Sequence, residues 1–281
     1  MKKSQNYGQG QSRDPFYGED TLYAEKSLLK KRRQGFLRVF GVVFALIIAL
    51  LLLYFAARMF FKVESFEVNG NEKYTDEQII SLCGIESGDF MFSFGKTEVK
   101  NNIYHGCPYI EEISIKRVYP SSVVIDVRET QAQYAMYDMG KYIVFSSELK
   151  VLEVSEENKW DDSLIIFELP KIARALEGYL LEFKSPEKKE YITEFIKALG
   201  ELETEMKINT VTLSDSFSIK MLCGGAYRVL FGKADELSVK MHTLTRVMQS
   251  DTIKKSAAAS IDMSDPKEPR VVPYDNADMI N

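Results

Sequence analysis

An uninterrupted apolar run near the N-terminus constrains this chain more than any other feature. Residues 39–57 contain no charged side chain. As an α-helix this run would be about 28 Å long, close to the roughly 30 Å hydrocarbon thickness of a bilayer. Backbone amides inside lipid must be paired within their own segment, so a helix is the form we expect. The sequence predicts one transmembrane helix at residues 36–61, with more than 200 residues beyond it.

The flanks of the run predict its orientation. Five basic residues lie close before it and two close after it: Lys30, Lys31, Arg32, Arg33 and Arg38 before, Arg58 and Lys62 after. Since basic residues are retained on the cytoplasmic side, we expect a single-pass type II protein of the cell membrane, with the C-terminal bulk extracytoplasmic. The alternative is a signal peptide cleaved near Ala56-Ala57. The run is longer than the apolar region of about 7–15 residues in such peptides, so we favour an uncleaved anchor.

Charge divides the chain in the same place. Residues 1–38 carry nine Lys and Arg against four acidic residues, a net of +5; the whole chain is −5, so the remainder is −10. An acidic outer part disfavours nucleic acid as a partner, because phosphate binding needs a basic face. Residues 1–35 lack apolar periodicity and are predicted to be a disordered, basic cytoplasmic segment.

Cysteine usage argues against a disulfide-stapled scaffold. Cys83, Cys107 and Cys223 are an odd number, and small stapled domains contain more cysteines at regular spacing. We expect buried thiols. A Cys83–Cys107 bridge remains open from the sequence.

Two kinds of periodicity define a first module after the anchor. Thr75 can cap a helix together with Gln78, three residues on, and Gly84 can end that helix in the left-handed conformation. Alternating apolar residues predict strands on both sides of a helical pair. The predicted order is a strand at 63–68, helices from Thr75 and over 97–104, and strands at 113–116 and 123–128.

The remainder is predicted to be strands with two amphipathic helices. One helix begins at Ser185-Pro186-Glu187, and the other contains Leu237, Met241, Leu244 and Met248 at helical spacing. The predicted strands are 141–145, 150–154, 218–222, 227–231 and Ser260–Met263, with Gly224-Gly225 as a hairpin turn.

This order of elements resembles the FtsQ/DivIB family of bacterial division proteins. The features that carry the resemblance are Phe66-Glu67-Val68-Asn69-Gly70, Pro108-Tyr109-Ile110, Arg117-Val118-Tyr119-Pro120, Val229-Leu230-Phe231-Gly232 and Ile261-Asp262-Met263. The resemblance implies an α+β fold: a transmembrane helix, a POTRA-like β-α-α-β-β module at 62–130, and a larger mixed β-sheet domain at 131–264. Residues 265–281 are expected to be a flexible tail.

Side chains for catalysis are scarce. The chain has two histidines, His105 and His242, and lacks zinc, nucleophile-elbow and phosphate-loop motifs. A dyad of His105 with Cys83 or Cys107 is the one nucleophile worth considering. We therefore predict no catalytic, metal or cofactor residues and no small-molecule substrate, and expect a protein that binds other proteins.

The resemblance implies the partners. These are coiled-coil membrane proteins of the FtsL and DivIC/FtsB types, and the septal peptidoglycan synthase complex, at the division septum. Two alternatives remain: a POTRA protein of secretion or sensing, and a cysteine-dependent wall-processing enzyme.

The partner is expected to dock at the last predicted strand. Ser260, Ile261, Asp262 and Met263 alternate as a strand does, and Pro266 and Pro269 cannot donate to a ladder. A terminal strand with nothing after it would be an edge, open to a partner strand; an ordinary internal strand is the alternative. Further anchoring is expected from Tyr227, Phe231 and Tyr274.

Overall fold

A long N-terminal helix contains the predicted span. The computed structural model describes residues 16–160 and 163–273, with side chains from residue 36 onward. Helix α1 is Phe16–Phe60. Its Phe36–Phe60 part has 25 residues with a mean hydropathy of 2.9, long and apolar enough to cross a membrane. The predicted position of the apolar span therefore agrees with the structure.

The segment before the span differs from the prediction. We expected disorder over residues 1–35, but residues 16–35 belong to α1, so the prediction is wrong there; residues 1–15 lie outside the described residues. Once a helix is nucleated, adding residues costs little, and this segment contains Leu, Ala, Glu and Lys, which are good helix formers.

The first module, which we call the proximal module (residues 62–130), has the predicted order. Its elements are β1 (Ser65–Asn69), α2 (Asp76–Cys83), α3 (Lys96–Gly106), β2 (Ile110–Val118) and β3 (Ser122–Glu129). The sheet order is β1-β3-β2, with β1 parallel and β2 antiparallel to β3. Thr75 and Gln78 form the expected capping box, and Gly84 ends α2 at a φ of 64°.

The second unit, which we call the distal domain (residues 131–273), is built on a nine-stranded mixed sheet. Its strand order is β14-β13-β12-β11-β10-β7-β4-β5-β6, and β8 and β9 form a separate pair. Helices α4 and α5 share one apolar core with one face of the large sheet. The elements are β4 (Tyr134–Asp138), β5 (Lys141–Phe145), β6 (Val151–Ser155), β7 (Ile165–Glu168), β8 (Ile172–Arg174), β9 (Glu182–Phe183), α4 (Lys188–Leu199), β10 (Ile208–Thr212), β11 (Ile219–Cys223), β12 (Tyr227–Gly232), α5 (Leu237–Met248), α6 (Asp251–Lys255), β13 (Ala259–Asp262) and β14 (Arg270–Pro273).

Helix α4 starts later than its sequence suggests. The predicted cap at Ser185 is wrong, because α4 begins at Lys188. The carbonyl of Ser185 accepts from the Lys188 N–H at 3.1 Å, and that of Pro186 from the Lys189 N–H at 3.1 Å. Ser185 and Pro186 therefore form a tight turn ahead of the helix. The predicted apolar face of α4 is buried.

The C-terminal segment also departs from the prediction. Residues 265–281 were expected to be a flexible tail, but Arg270–Pro273 forms β14, antiparallel to β13. Pro266 and Pro269 lie in the connection between the two strands, where no ladder donor is needed. The prolines therefore mark a reversal of the chain rather than the end of the sheet.

The proximal module packs against the distal domain through an apolar cluster with a polar border. Tyr109 of the proximal module joins Ala135, Val144 and Leu152 of the large sheet. The Tyr109 hydroxyl donates to Glu153 Oε1 at 2.5 Å. Burial, followed by this carboxylate, raises the pKa of Tyr109, so the phenol stays protonated as a donor.

A buried lysine also connects the proximal module to the distal domain at this contact, which we call the joint. Lys150, 2% exposed, donates to the carbonyls of Tyr104 and Ile110, both at 2.8 Å. Four residues after Tyr104 the chain has Pro108, which has no N–H to continue the helical ladder. Lys150 therefore supplies a donor that the proximal module cannot supply itself.

A glycine allows a close approach of the two backbones across the joint. At Gly178 φ is +80°, and an added Cβ would lie 2.2 Å from the carbonyl oxygen of His105. Gly140 has a matching φ of +78°, with nothing within 4 Å of an added Cβ. Comparing alanine at the two sites therefore separates backbone strain from loss of the contact.

We expect Gly178→Ala to destabilise the fold more than Gly140→Ala does. The left-handed conformation costs an alanine about 1–2 kcal/mol at either site. At Gly178 the steric clash should add about 1–3 kcal/mol. Urea unfolding of the detergent-solubilised full chain measures both free energies of unfolding. Equal losses would mean that the contact with His105 is dispensable.

Candidate partner-binding edge

The structure places most of the predicted site residues inside the sheet rather than at its edge. Strand β13 lies between β12 and β14, so the interpretation of Ser260–Met263 as the edge strand is wrong. Three predicted residues are fully buried in the apolar core: Ile261, Met263 and Phe231. They can support the edge from beneath but do not reach its surface.

The remaining predicted residues lie nearer the surface. Ser260 and Asp262 are half-buried and project from the sheet face opposite the helices. The Tyr227 hydroxyl donates to the Ser256 carbonyl at 2.6 Å, which ties β12 to the segment after α6. Tyr274 lies outside the described residues. Partner contact at Ser260 and Asp262 therefore stays a prediction.

Strand directions determine which backbone groups of β14 face outward. The Met263 N–H donates to the Leu230 carbonyl of β12 at 2.7 Å. Successive N–H groups of a strand point to opposite sides, so the Asp262 N–H points toward β14, where its register partner is Arg270. Asp262 and Arg270 are therefore a hydrogen-bonded pair of the antiparallel ladder.

Val271, one residue further along β14, consequently directs its N–H and C=O away from the sheet. Pro273 lies two residues further on, so its backbone nitrogen, which carries no N–H, faces the same side. Edge strands tolerate proline at such outward-facing positions. β14 is the last strand of the sheet within residues 16–160 and 163–273. It presents a short backbone edge to which an extended segment can add.

A surface groove of about 440 Å³ adjoins this edge. It lies between α5 and the connection from β13 to β14. The residues that line it are Thr243, Arg246, Val247, Ser250, Pro266, Lys267, Pro269 and Val271. Its floor is mainly apolar, and Arg246 and Lys267 are exposed. The groove suits an apolar side chain that has an acidic neighbour.

The carboxylate of Asp262, next to the edge, has a defined ionisation state. The Ser264 N–H donates to the Asp262 carboxylate at 2.9 Å. This bond, followed by the Ser264 side chain and the charge of Arg270, holds the pKa of Asp262 below its usual range. Asp262 therefore stays ionised, and Arg270 compensates its charge.

The thiols are poorly suited to nucleophilic chemistry. Cys83, Cys107 and Cys223 are buried and not disulfide-bonded. Burial raises the pKa of Cys83 and Cys107 to about 11 and that of Cys223 to about 12, whereas reactive cysteines have a lowered pKa. His105, the histidine considered for a dyad with Cys83 or Cys107, makes its contacts with the distal domain. Its ring stacks on Tyr179 with centroids 4.1 Å apart, and its Nδ1 lies 2.8 Å from the Gly178 carbonyl oxygen.

Sequence reasoning missed the residues that form the actual edge and groove. Val271, Arg246 and Lys267 had no part in the prediction. A signal was present: Asp265-Pro266 is a turn pair, with the Asp265 side chain accepting from the Lys267 N–H at 2.9 Å, and a β-branched pair, Val271-Val272, follows it.

Comparisons with known proteins cover both folded parts of the chain. A family model described as a POTRA domain of the FtsQ type matches residues 61–130. A cell division protein DivIB of Clostridium botulinum strain Hall is 25% identical over 246 residues, covering 88% of this chain and 95% of the relative.

Two further relatives carry the same name. DivIB of Clostridium tetani is 33% identical over 100 residues, covering 36% of this chain and 37% of the relative. DivIB of Staphylococcus aureus strain NCTC 8325 is 24% identical over 195 residues, covering 67% of this chain and 40% of the relative.

Proposed function

The chain belongs to the FtsQ/DivIB family of cell division proteins, and from this premise we propose that it is a non-catalytic, membrane-anchored scaffold of the division machinery. Its partners would be small coiled-coil membrane proteins of the FtsL and DivIC/FtsB types. Through them it would help to assemble or regulate septal peptidoglycan synthesis.

The observation that carries this proposal is the β14 edge. The outward N–H and C=O of Val271 offer main-chain pairing, and the adjoining groove offers a place for an apolar side chain. Strand addition to such an edge takes its affinity from main-chain bonds and its specificity from neighbouring pockets. Ser260 and Asp262 would flank the docked segment on the exposed sheet face.

The orientation of the chain follows from its charges. With Lys30–Arg33 retained in the cytoplasm, the proximal module and the distal domain would both be extracytoplasmic. The scaffold would therefore meet its partners on the side of the membrane where peptidoglycan is made.

The proposal predicts where the protein gathers. A fluorescent protein fused to the N-terminus should collect at midcell, and depletion of the protein should give filamentous or swollen, undivided cells. Fluorescence microscopy in the native host measures both. Even distribution around the membrane, with normal division on depletion, would contradict a division scaffold and favour a secretion or sensing role.

The depletion strain can also distinguish the scaffold from the alternative of a cysteine-dependent enzyme, when a variant chain is expressed in it. Replacing all three cysteines with alanine should leave division intact, since their raised pKa leaves them as thiols. Loss of division in a variant that still folds would instead support a cysteine-dependent enzyme.

A further inference from the structure

Three exposed apolar side chains meet at one end of the proximal module. Phe92 is 48% exposed, Val118 47% and Tyr119 59%. The rings of Phe92 and Tyr119 stack with centroids 5.9 Å apart. We call these three residues the aromatic tip. Large apolar groups held together in water form a surface that favours burial.

The loop that presents the tip is held in place by Arg117. Its Nε donates to the Met91 carbonyl at 2.8 Å, and its Nη2 donates to the Phe94 carbonyl at 2.7 Å. The guanidinium also lies 4.5 Å from the centroid of the Phe94 ring. Phe92 is therefore exposed by a fixed loop conformation.

The two loops of the tip are bonded to the residues that directly follow the transmembrane helix. The Val63 N–H donates to the Asp89 carbonyl at 2.8 Å, and the Glu64 N–H donates to the Ser121 carbonyl at 2.8 Å. Val63 is three residues from Phe60, the end of α1, and three residues span at most about 11 Å. This upper limit on the distance between Phe60 and Val63 follows from the length of the covalent chain alone.

We propose that the aromatic tip inserts into the surface of the bilayer that holds this chain's own anchor. Tyr and Trp side chains collect at the headgroup level, where one end of the ring is apolar and the other meets water. The apolar ring of Phe92 and the side chain of Val118 would enter beside Tyr119. The apolar faces of interfacial amphipathic helices enter the bilayer surface by about 5–10 Å, and we expect a similar depth for the tip. The tip would thus add a second, non-covalent attachment of the extracytoplasmic part to the lipid.

The proposal can be tested with single tryptophans in the full chain. Trp160 is the one tryptophan in the sequence, so Trp160→Phe gives a silent background. Phe92→Trp and Tyr119→Trp probe the tip, and Phe217→Trp, at a residue 67% exposed in the distal domain, is the control. Each variant is reconstituted alone into phosphatidylcholine–phosphatidylglycerol vesicles, with and without bromine on the acyl chains.

Brominated lipid should weaken the emission of tryptophan at 92 and 119 about twofold, as expected for rings at headgroup level. The Phe217→Trp emission should be unchanged by brominated lipid and quenched by acrylamide in the water. If the tip positions behave like position 217, the proposal fails, and the tip would be left for a protein partner.

A second measurement needs no substitution. A phospholipid with a photoactivatable diazirine near its headgroup should label residues 88–95 and 117–121 of the native chain, and leave 213–218 unlabelled. Labelling of neither tip segment would overturn the proposal, even if the tryptophan variants fail to fold.

Discussion

Val271→Pro is expected to weaken binding of a DivIC/FtsB-type partner by about 1–3 kcal/mol, roughly 5- to 150-fold. The substitution removes the outward N–H of β14 and leaves a backbone acceptor of the docked segment unpaired. The ladder to β13 should survive, because Val271 lies opposite Ile261 in a non-hydrogen-bonded pair, whereas Arg270 and Val272 form the hydrogen-bonded pairs with Asp262 and Ser260. Titration of the reconstituted full chain with the purified partner measures the change.

The matched control is Val271→Thr. It keeps the N–H and the β-branched shape, so affinity should stay close to that of the native chain. If both variants bind equally well, the docking site lies elsewhere, for example on the β2–β3 sheet. If both lose affinity equally, the groove contact of the side chain dominates and main-chain pairing does not.

Lys150→Met is expected to lower the free energy of unfolding by about 2–4 kcal/mol, because the buried Ile110 carbonyl and the part-buried Tyr104 carbonyl lose their donor. Met fills a similar volume, so the loss reports the polar contacts. Lys141→Met, at an exposed lysine of β5, is the control and should change stability little. Urea unfolding of the detergent-solubilised full chain measures both variants.

The loss of unfolding free energy caused by Lys150→Met should change with pH in one direction. Burial lowers the pKa of Lys150 from 10.5 to about 8, so between these values the unfolded chain binds more protons than the folded one. Stability from Lys150 therefore rises with pH through this window and is lost as pH falls through about 8. The gap between native and Lys150→Met chains should widen from pH 7 to pH 9.5. A narrowing gap would mean that the pKa is not lowered.

Local patterns in the sequence determined the elements whose contacts are close along the chain. The span followed from length and apolarity, and the Thr75–Gln78 box and Gly84 fixed both ends of α2. Helical spacing identified the buried faces of α4 and α5. Each of these signals depends on residues at most a few turns apart, and backbone geometry alone relates them.

Strands whose partners are distant along the chain were harder to predict. The segments β4, β7 and β10 were not predicted, and they form the parallel middle of the large sheet. Parallel strands need a long crossover, so no turn between them marks the pairing in the sequence.

The candidate site shows the same difference between what local sequence patterns predict and what depends on tertiary contacts. Alternation in the sequence identified 260–263 as a strand, but which strand lies beside it depends on how the chain reverses at Pro266 and returns as β14. Only the tertiary structure therefore decided that Ile261 is core and Val271 is edge. Lys150 belongs to the same class. Its sequence neighbours give no reason to bury a charge, and only the folded joint brings it to the Ile110 carbonyl and to the Tyr104 carbonyl, which Pro108 leaves without a donor.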